Sequence, residues 1–296
     1  MRPWSFSASL MPVLLGSALA YPHIYDISII LLILTGLSAL CVHAAGNLFN
    51  TYYDFKYGVD EKIAKEIDIS VDDDRTLTEG LLKPDDVIQL GLVLYGIGTF
   101  IFLILTYFSP AREPYLGIIF FGALPLSFLY TGGIGFKYIA MGDILILLTF
   151  GPITVLYSFI SQSGYYNPYP VLYALPLTLN TEAILHSNNT RDMLHDHAVG
   201  ILTLSILIGK KLSYYFYCLL IYLPYLMIIF IMFKISWLCF LPLLTLGHAR
   251  QLCKEFRTNQ LIKLPNRTAQ LNFQLGSLYI LSIVLTNTIT TKQQFL

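Results

Sequence analysis

Charge is scarce in this sequence. Only 12% of its 296 residues are Asp, Glu, Lys or Arg, and they cancel to a net charge of zero. Soluble domains carry about 25%, so a soluble enzyme is excluded. With no basic stripe, nucleic acid is excluded as a partner. Cysteine is scarce as well: Cys41, Cys218, Cys239 and Cys253 lie in or at the end of apolar runs, with no CxxC pair among them. That spacing offers neither a zinc site nor a disulfide framework, and the four read as small packing residues. Strict apolar–polar alternation is missing too, which excludes a membrane β-barrel.

What remains is apolar, at 55% of the chain. A run of about 20 such residues spans a bilayer as a helix. The hydropathy pattern predicts an all-α polytopic membrane protein with nine spans: about 4–21, 27–53, 85–107, 115–131, 139–161, 169–187, 212–233, 235–250 and 268–290. The first span opens directly at the N-terminus, with no cleavable signal peptide evident. "YPHIYD", "SPAREP" and "SGYYNPYP" separate successive spans. Gly151-Pro152 is expected to kink the fifth. The fourth and sixth are short, as are helices that place irregular backbone beside a buried site.

Lys and Arg are distributed unevenly. If the N-terminus shares a side with the loops after even-numbered spans, fifteen of the 18 fall there, and only Arg112, Lys234 and Lys292 lie opposite. The positive-inside rule makes the fifteen-residue side cytoplasmic. The sequons at Asn188 and Asn266 then face away from the glycosylation machinery.

The few acids cluster on that side. Asn50 and Asp54 are four residues apart where the second span ends, as are Asn188 and Asp192 at the end of the sixth, with Asp196 four further on. Helical i, i+4 spacing puts each set on one face. One such pair is ordinarily a cap or a solvated end. Two on the same membrane face suit oxygen-only ligation of Mg²⁺ together with phosphate. Arg75 and Lys137 supply nearby positive charge, Lys137 after the glycine-rich "TGGIGF". Both also count toward the topology bias. Glu182 is an ionisable group inside the sixth span and so a functional candidate, with an internal Glu182–His186 pair as the plainer reading. The 21 Tyr and 19 Phe suit a cavity shielding a carbocation, although interfacial belts account for most of them.

These stretches together, "GNLFNTYYDFKYGVD", "DDRTL", "LYTGGIGFKY", "ILHSNNTRDM" and "NRTAQLN", resemble the UbiA superfamily of intramembrane aromatic prenyltransferases. The likeness runs through essentially the whole chain and implies one domain over 1–296, with active-site loops at about 54–84, 131–138 and 188–211. It implies Mg²⁺ at Asp54, Asp60, Asp192 and Asp196, catalysis by Asp54, Asp192, Lys137 and Arg75, and substrate contacts from Asn50, Tyr130, Glu182, Asn188, Asn189 and Arg191. Gly58 stands where many members carry a third acid, and Asp60 follows two residues later. This spacing resembles the menaquinone-forming branch. The implied reaction is transfer of a prenyl group, geranylgeranyl from its diphosphate, to a reduced naphthoquinone, menadiol, giving menaquinone-4. The implied membrane is that of the endoplasmic reticulum or Golgi, with a mitochondrial membrane as an alternative. Open alternatives are a ubiquinone- or haem-pathway prenyltransferase and a prenyl-diphosphate-binding regulator. A secondary transporter also fits midplane acids, but twin motifs at one face with cations beside them disfavour it.

Overall fold

The computed structural model describes residues 3–20, 26–59 and 77–294, and these contain helices and no strand. α1 is Ser7–Ala20, α2 Ile29–Lys56, α3 Pro84–Phe108, α4 Tyr115–Leu129, α5 Gly142–Ser163 and α6 Tyr169–Arg191. A six-residue α7, Met193–Ala198, leads to α8, Leu204–Lys234, α9, Leu246–Arg257, and α10, Leu264–Gln294.

Five of these, α2, α3, α5, α8 and α10, are long and apolar enough to cross a membrane, while α1 and α4 are shorter apolar helices. The expected spans therefore do not all appear as uniform apolar helices. α6 has the length, but Asn180, Thr181, Glu182, His186 and Ser187 are buried in its interior. The eighth span, expected at 235–250, is a 3₁₀ run over Trp237–Thr245 that passes into α9. Pro242 lies inside that run and Ser236 Oγ caps its start by accepting from Leu238 N–H; Pro lacks the N–H that an α-helical ladder needs.

Capping follows the sequence. Ser28 Oγ accepts from Leu31 N–H at the start of α2, and Gln162 holds the Ser28 backbone through its amide oxygen and nitrogen at 3.1 and 3.0 Å. That clamps the beginning of α2 to the end of α5, which closes on Gly164 in the left-handed region. Pro84 with Asp85 and Asp86 opens α3, placing a pre-set φ and negative charge where a helix N-terminus favours them.

One apolar core joins α1, α6, α8 and α10 through Leu15, Leu177, Tyr217, Ile221, Leu271 and Tyr279; a second joins α3, α4 and α5 through Phe102, Leu105, Phe120, Tyr157 and Ile160. Large side chains such as Phe100, Leu226 and Phe230 stay exposed on the outside, where lipid rather than water receives them.

At Gly151-Pro152 the expected kink takes the form of a π-helical turn over Thr149–Ile153. Gly151 is required there, because a Cβ would sit 1.7 Å from Thr178 Oγ1 and 2.7 Å from Thr178 Cβ. Gly151→Ala is therefore expected to push α5 off α6 and cost about 1–3 kcal/mol, as overpacking does. Thermal unfolding in detergent measures this. Thr178→Ala in the same chain should recover only part of the loss, since the Cβ clash remains.

Candidate active site

The two acid-bearing helix ends converge. On α2, Ala39, Val42, Gly46, Asn50 and Asp54 recur at helical spacing along one wall of a cavity of about 810 Å³. On α6, Thr181, Leu185 and Asn188 line the cavity with Asp192 just past the helix end, and Asn189 and Arg191 also border it. α7 adds Asp196, and the turn after α4 adds Tyr130 and Lys137.

The segments carrying these groups are tied together. His195 Nε2 donates to the Val59 carbonyl at 2.9 Å, linking α7 to the chain just past α2. Ala140 N–H bonds Leu202 O at 2.7 Å and Leu202 N–H bonds Tyr138 O at 3.1 Å. Gly135 turns the chain in the left-handed region before the short 3₁₀ turn Phe136–Tyr138. The glycine-rich stretch is thus a pinned turn that fixes where Lys137 stands.

Lys137 Nζ sits in an oxygen cup, 3.0 Å from Asn50 Oδ1 and 2.8 and 2.6 Å from the two Asp54 oxygens. Tyr138 OH donates to Asp54 Oδ1 at 2.9 Å. Burial, and next the Asp54 charge, push the Tyr138 phenol well above its ordinary range, so it stays protonated and donates. At the second motif, Arg191 Nε and Nη2 grip the two Asp192 oxygens, each at 2.7 Å. Asn188 accepts from Arg191 at 2.9 Å and donates to Asp192 at 3.2 Å.

Asp196 is 7% exposed. Burial raises its carboxyl to about 7; Lys137 opposes the rise, while Asp192 and Asp54 add to it. Asp196 therefore shares one field with Asp54, Asp192, Lys137 and Arg191.

This donor set fits Mg²⁺ held together with a phosphate. The Asn50–Asp54 cup already receives a cation through oxygens alone. Among the described residues, no cluster of three His, Cys, Asp or Glu side chains encloses a metal. An open set of that kind leaves positions for phosphate oxygens and water, as Mg²⁺ prefers.

Asp60 and Arg75 lie outside the described residues. Glu182 corrects its sequence expectation: it is fully buried, does not border the cavity, and neighbours Asp143 of α5. The Glu182–His186 pair is not formed either, since His186 Nε2 donates to Ser213 O at 3.0 Å. Sequence reasoning passed over Tyr138, Lys210 and His43, which contact Asp54 or border the cavity. For His43 a signal existed: His43, Asn47, Asn50 and Asp54 repeat at intervals of four, three and four on one helix face.

Away from the acids the walls turn apolar, with Ile119, Phe120, Leu124, Phe150, Ile153 and Tyr157. An ionic end and a greasy body in one chamber of substrate size match a ligand with a charged head and a hydrocarbon tail.

The UbiA prenyltransferase family model matches residues 9–278. The chain belongs to the UbiA prenyltransferase family. As a family member it is a prenyltransferase integral to a membrane. It is 49% identical over 285 residues to UbiA prenyltransferase domain-containing protein 1 of Danio rerio, covering 96% of this chain and 82% of the relative. The Homo sapiens protein of that name gives the same figures, and the Drosophila melanogaster homolog is 49% identical over 95% of this chain and 77% of its own. The UbiA fold itself is seen in a solved homolog from Aeropyrum pernix K1, with TM-score 0.70 at 14% identity, covering 95% of this chain and 98% of that one. A UbiA homolog from Archaeoglobus fulgidus, solved bound to GPP and Mg²⁺, matches with TM-score 0.60 at 13% identity over 97% of each chain.

Proposed function

We propose that this prenyltransferase is Mg²⁺-dependent and moves a geranylgeranyl group from its diphosphate to a reduced naphthoquinone, forming the reduced form of menaquinone-4, which oxidation afterwards converts to the quinone. One observation carries the reading: a single cavity holds both acid-bearing helix ends at one end and apolar walls along the rest. The Archaeoglobus fulgidus homolog, solved with GPP and Mg²⁺ and also with DMAPP and Mg²⁺, supports the donor class. The Gly58/Asp60 spacing supports a naphthoquinol acceptor.

Asp54, Asp192 and Asp196, with Asn50 and Asn188, would hold the metal, and Asp60 and Arg75 are assigned beside them by motif. Bound there, Mg²⁺ supplies positive charge that draws in the diphosphate and offsets the charge it gains on leaving. Lys137 and Arg191 turn from their carboxylates toward the diphosphate oxygens, and Tyr130 and Asn189 border the same space. As the C1–O bond breaks, its electron pair leaves with the diphosphate, and Lys137 stabilises that charge. The apolar walls hold the tail and keep water from the allylic cation. A ring carbon of the hydroquinone bonds to C1, and the ring then releases its proton to restore aromaticity.

The test is product mass. Purified protein with geranylgeranyl diphosphate and menadiol should form the reduced form of menaquinone-4, read as menaquinone-4 after oxidation in air, with Mg²⁺ and none with EDTA. Binding of the donor without any product would instead make the protein a prenyl-diphosphate-binding regulator.

The charge distribution supports a cytoplasmic position for the ionic end, and the family resemblance supports endoplasmic reticulum or Golgi membranes. Leu81 is exposed beyond the start of α3. Leu81→Cys, in a background lacking the four native cysteines, should react with an impermeant thiol reagent from the cytosolic side. Labelling from the lumen would invert the topology.

A further inference from the structure

Two buried acids lie beside the cavity without bordering it. Glu182 is in α6, six residues before Asn188 and ten before Asp192, and Asp143 is the second residue of α5. Glu182 is fully buried and Asp143 is 5% exposed. Their carboxyls face each other within hydrogen-bonding reach. Among the described residues no N–H or O–H reaches either Glu182 oxygen or Asp143 Oδ1. The basic groups nearby are engaged elsewhere. Lys137 is held by Asn50 and Asp54. His186 turns both ring nitrogens to α8, toward Ser213 O and Ser205 Oγ at 3.0 and 3.5 Å. From α10 comes a neutral group, Asn272, which donates to Thr181.

Two ionised carboxylates can only accept, so neither could bond the other. Held together away from water and cations, they would also repel through a medium that screens little. One proton between them resolves both conflicts: the protonated acid donates to the ionised one, and like charges do not meet. The pair then ties α5 to α6.

What the tie holds is the turn that enters α5. A Cβ on Gly142, the residue before Asp143, would lie 3.4 Å from Lys137 Cα and 3.2 Å from the Tyr130 ring. The start of α5 is thus the seat of the lysine's backbone. Met141 N–H bonds Phe136 O at 3.1 Å, and Lys137 N–H bonds Tyr130 O at 2.8 Å. Ala140, inside the turn, has φ of 59°, a conformation that a non-glycine residue keeps only where its surroundings impose it. On the other side, Glu182 belongs to the helix that carries Asn188 toward Asp192. Joining α5 to α6 at this point therefore sets where Lys137 stands relative to the second acid-bearing end.

We propose that Asp143 and Glu182 share one proton, and that this buried tie positions Lys137 for the diphosphate. Both are positioning residues, acting through the lysine and not on the substrate. This rests on the role given to Lys137 above.

Turnover of geranylgeranyl diphosphate and menadiol, followed by product mass, tests it. Glu182→Ala and Asp143→Ala should each lower kcat about 10²-fold, the scale of loss when a catalytic group is displaced by about 1 Å. Glu182→Gln should retain most of the wild-type kcat, because its amide gives Asp143 the donor that the proton provided. In a Lys137→Ala background, Glu182→Ala should cost little more, since the group that the tie positions is already gone. Infrared difference spectra, wild type minus Glu182→Gln, should show the C=O band of a protonated carboxyl.

A Glu182→Gln variant as impaired as Glu182→Ala would overturn the shared proton. An equal loss from Glu182→Ala in both backgrounds would overturn the link to Lys137 and leave a purely structural pair. Melting temperature in detergent accompanies each variant. If the alanine variants fold poorly, Glu182→Gln and the infrared band decide: retained kcat with the band lost supports the tie, and no such band in wild type overturns it. Wild-type kcat in Lys137→Ala alone is a separate outcome; it removes the role of the lysine and the proposal with it.

Discussion

Asp54→Asn and Asp192→Asn should each lower kcat/KM for the prenyl diphosphate by about 10³-fold, at the upper end of what losing one charge-stabilising contact costs. Each substitution keeps the side chain's size and removes its charge. Asp54 is 4% exposed and receives Lys137 and Tyr138. As an amide it would still fill its place, yet it would no longer attract a divalent cation. Asp192 is more open, and its fork with Arg191 is a close charge-assisted pair, so the loss of charge there also releases the guanidinium. Both variants should melt within a few degrees of wild type, which separates chemistry from folding. The two losses should not add, because both carboxylates serve one diphosphate and coupled groups depart from additivity. Near-normal Mg²⁺-dependent turnover in either variant would remove that helix end from the site.

Lys137→Ala is expected to cost about 10²–10³ in kcat, equivalent to about 2.7–4 kcal/mol. Lys137→Arg should cost less, but clearly. The ammonium fits as a single point between Asn50 Oδ1 and the Asp54 oxygens. A planar guanidinium carries the same charge in a wider fork and cannot seat in that cup unchanged. The alanine variant also strips a buried carboxylate of its counter-ion, so part of its effect should appear as a lower melting temperature. Adding Mg²⁺ should restore some of that stability, since a cation at Asp54 replaces the missing one. If both variants retain wild-type kinetics, Lys137 belongs to the topology bias alone.

The sequence made the helical membrane class legible because hydropathy is summed over many residues, and no single exception alters it. It also located the two acid-bearing ends, since i, i+4 spacing survives whatever the helices do next. Glu182 was misplaced because position within a span does not say which way a side chain faces; it neighbours Asp143 rather than the cavity. The pairing of Lys137 with Asp54 joins residues 83 apart in sequence, and no local pattern announces it. Tyr138 was hidden for the same reason. His43 was hidden by its setting, a lone imidazole within an apolar helix, and only Asn47, Asn50 and Asp54 on the same face give it meaning. Span boundaries failed where backbone departs from the α-helix: the 3₁₀ run Trp237–Thr245 and the kink at Gly209 inside α8. The kink leaves the expected seventh span, 212–233, as the straight part of a longer helix.

The claim at the centre of this account is that the diphosphate head sits between the two acid-bearing helix ends with its tail in the apolar body of the cavity. A structure of the protein with Mg²⁺ and the unreactive geranylgeranyl thiodiphosphate tests it most directly. The account predicts diphosphate density between Asp54 and Asp192, Lys137 Nζ within hydrogen-bonding distance of it, and the tail running past Phe150 and Tyr157. A head group bound away from either acid, or a tail lying outside the cavity, would contradict it.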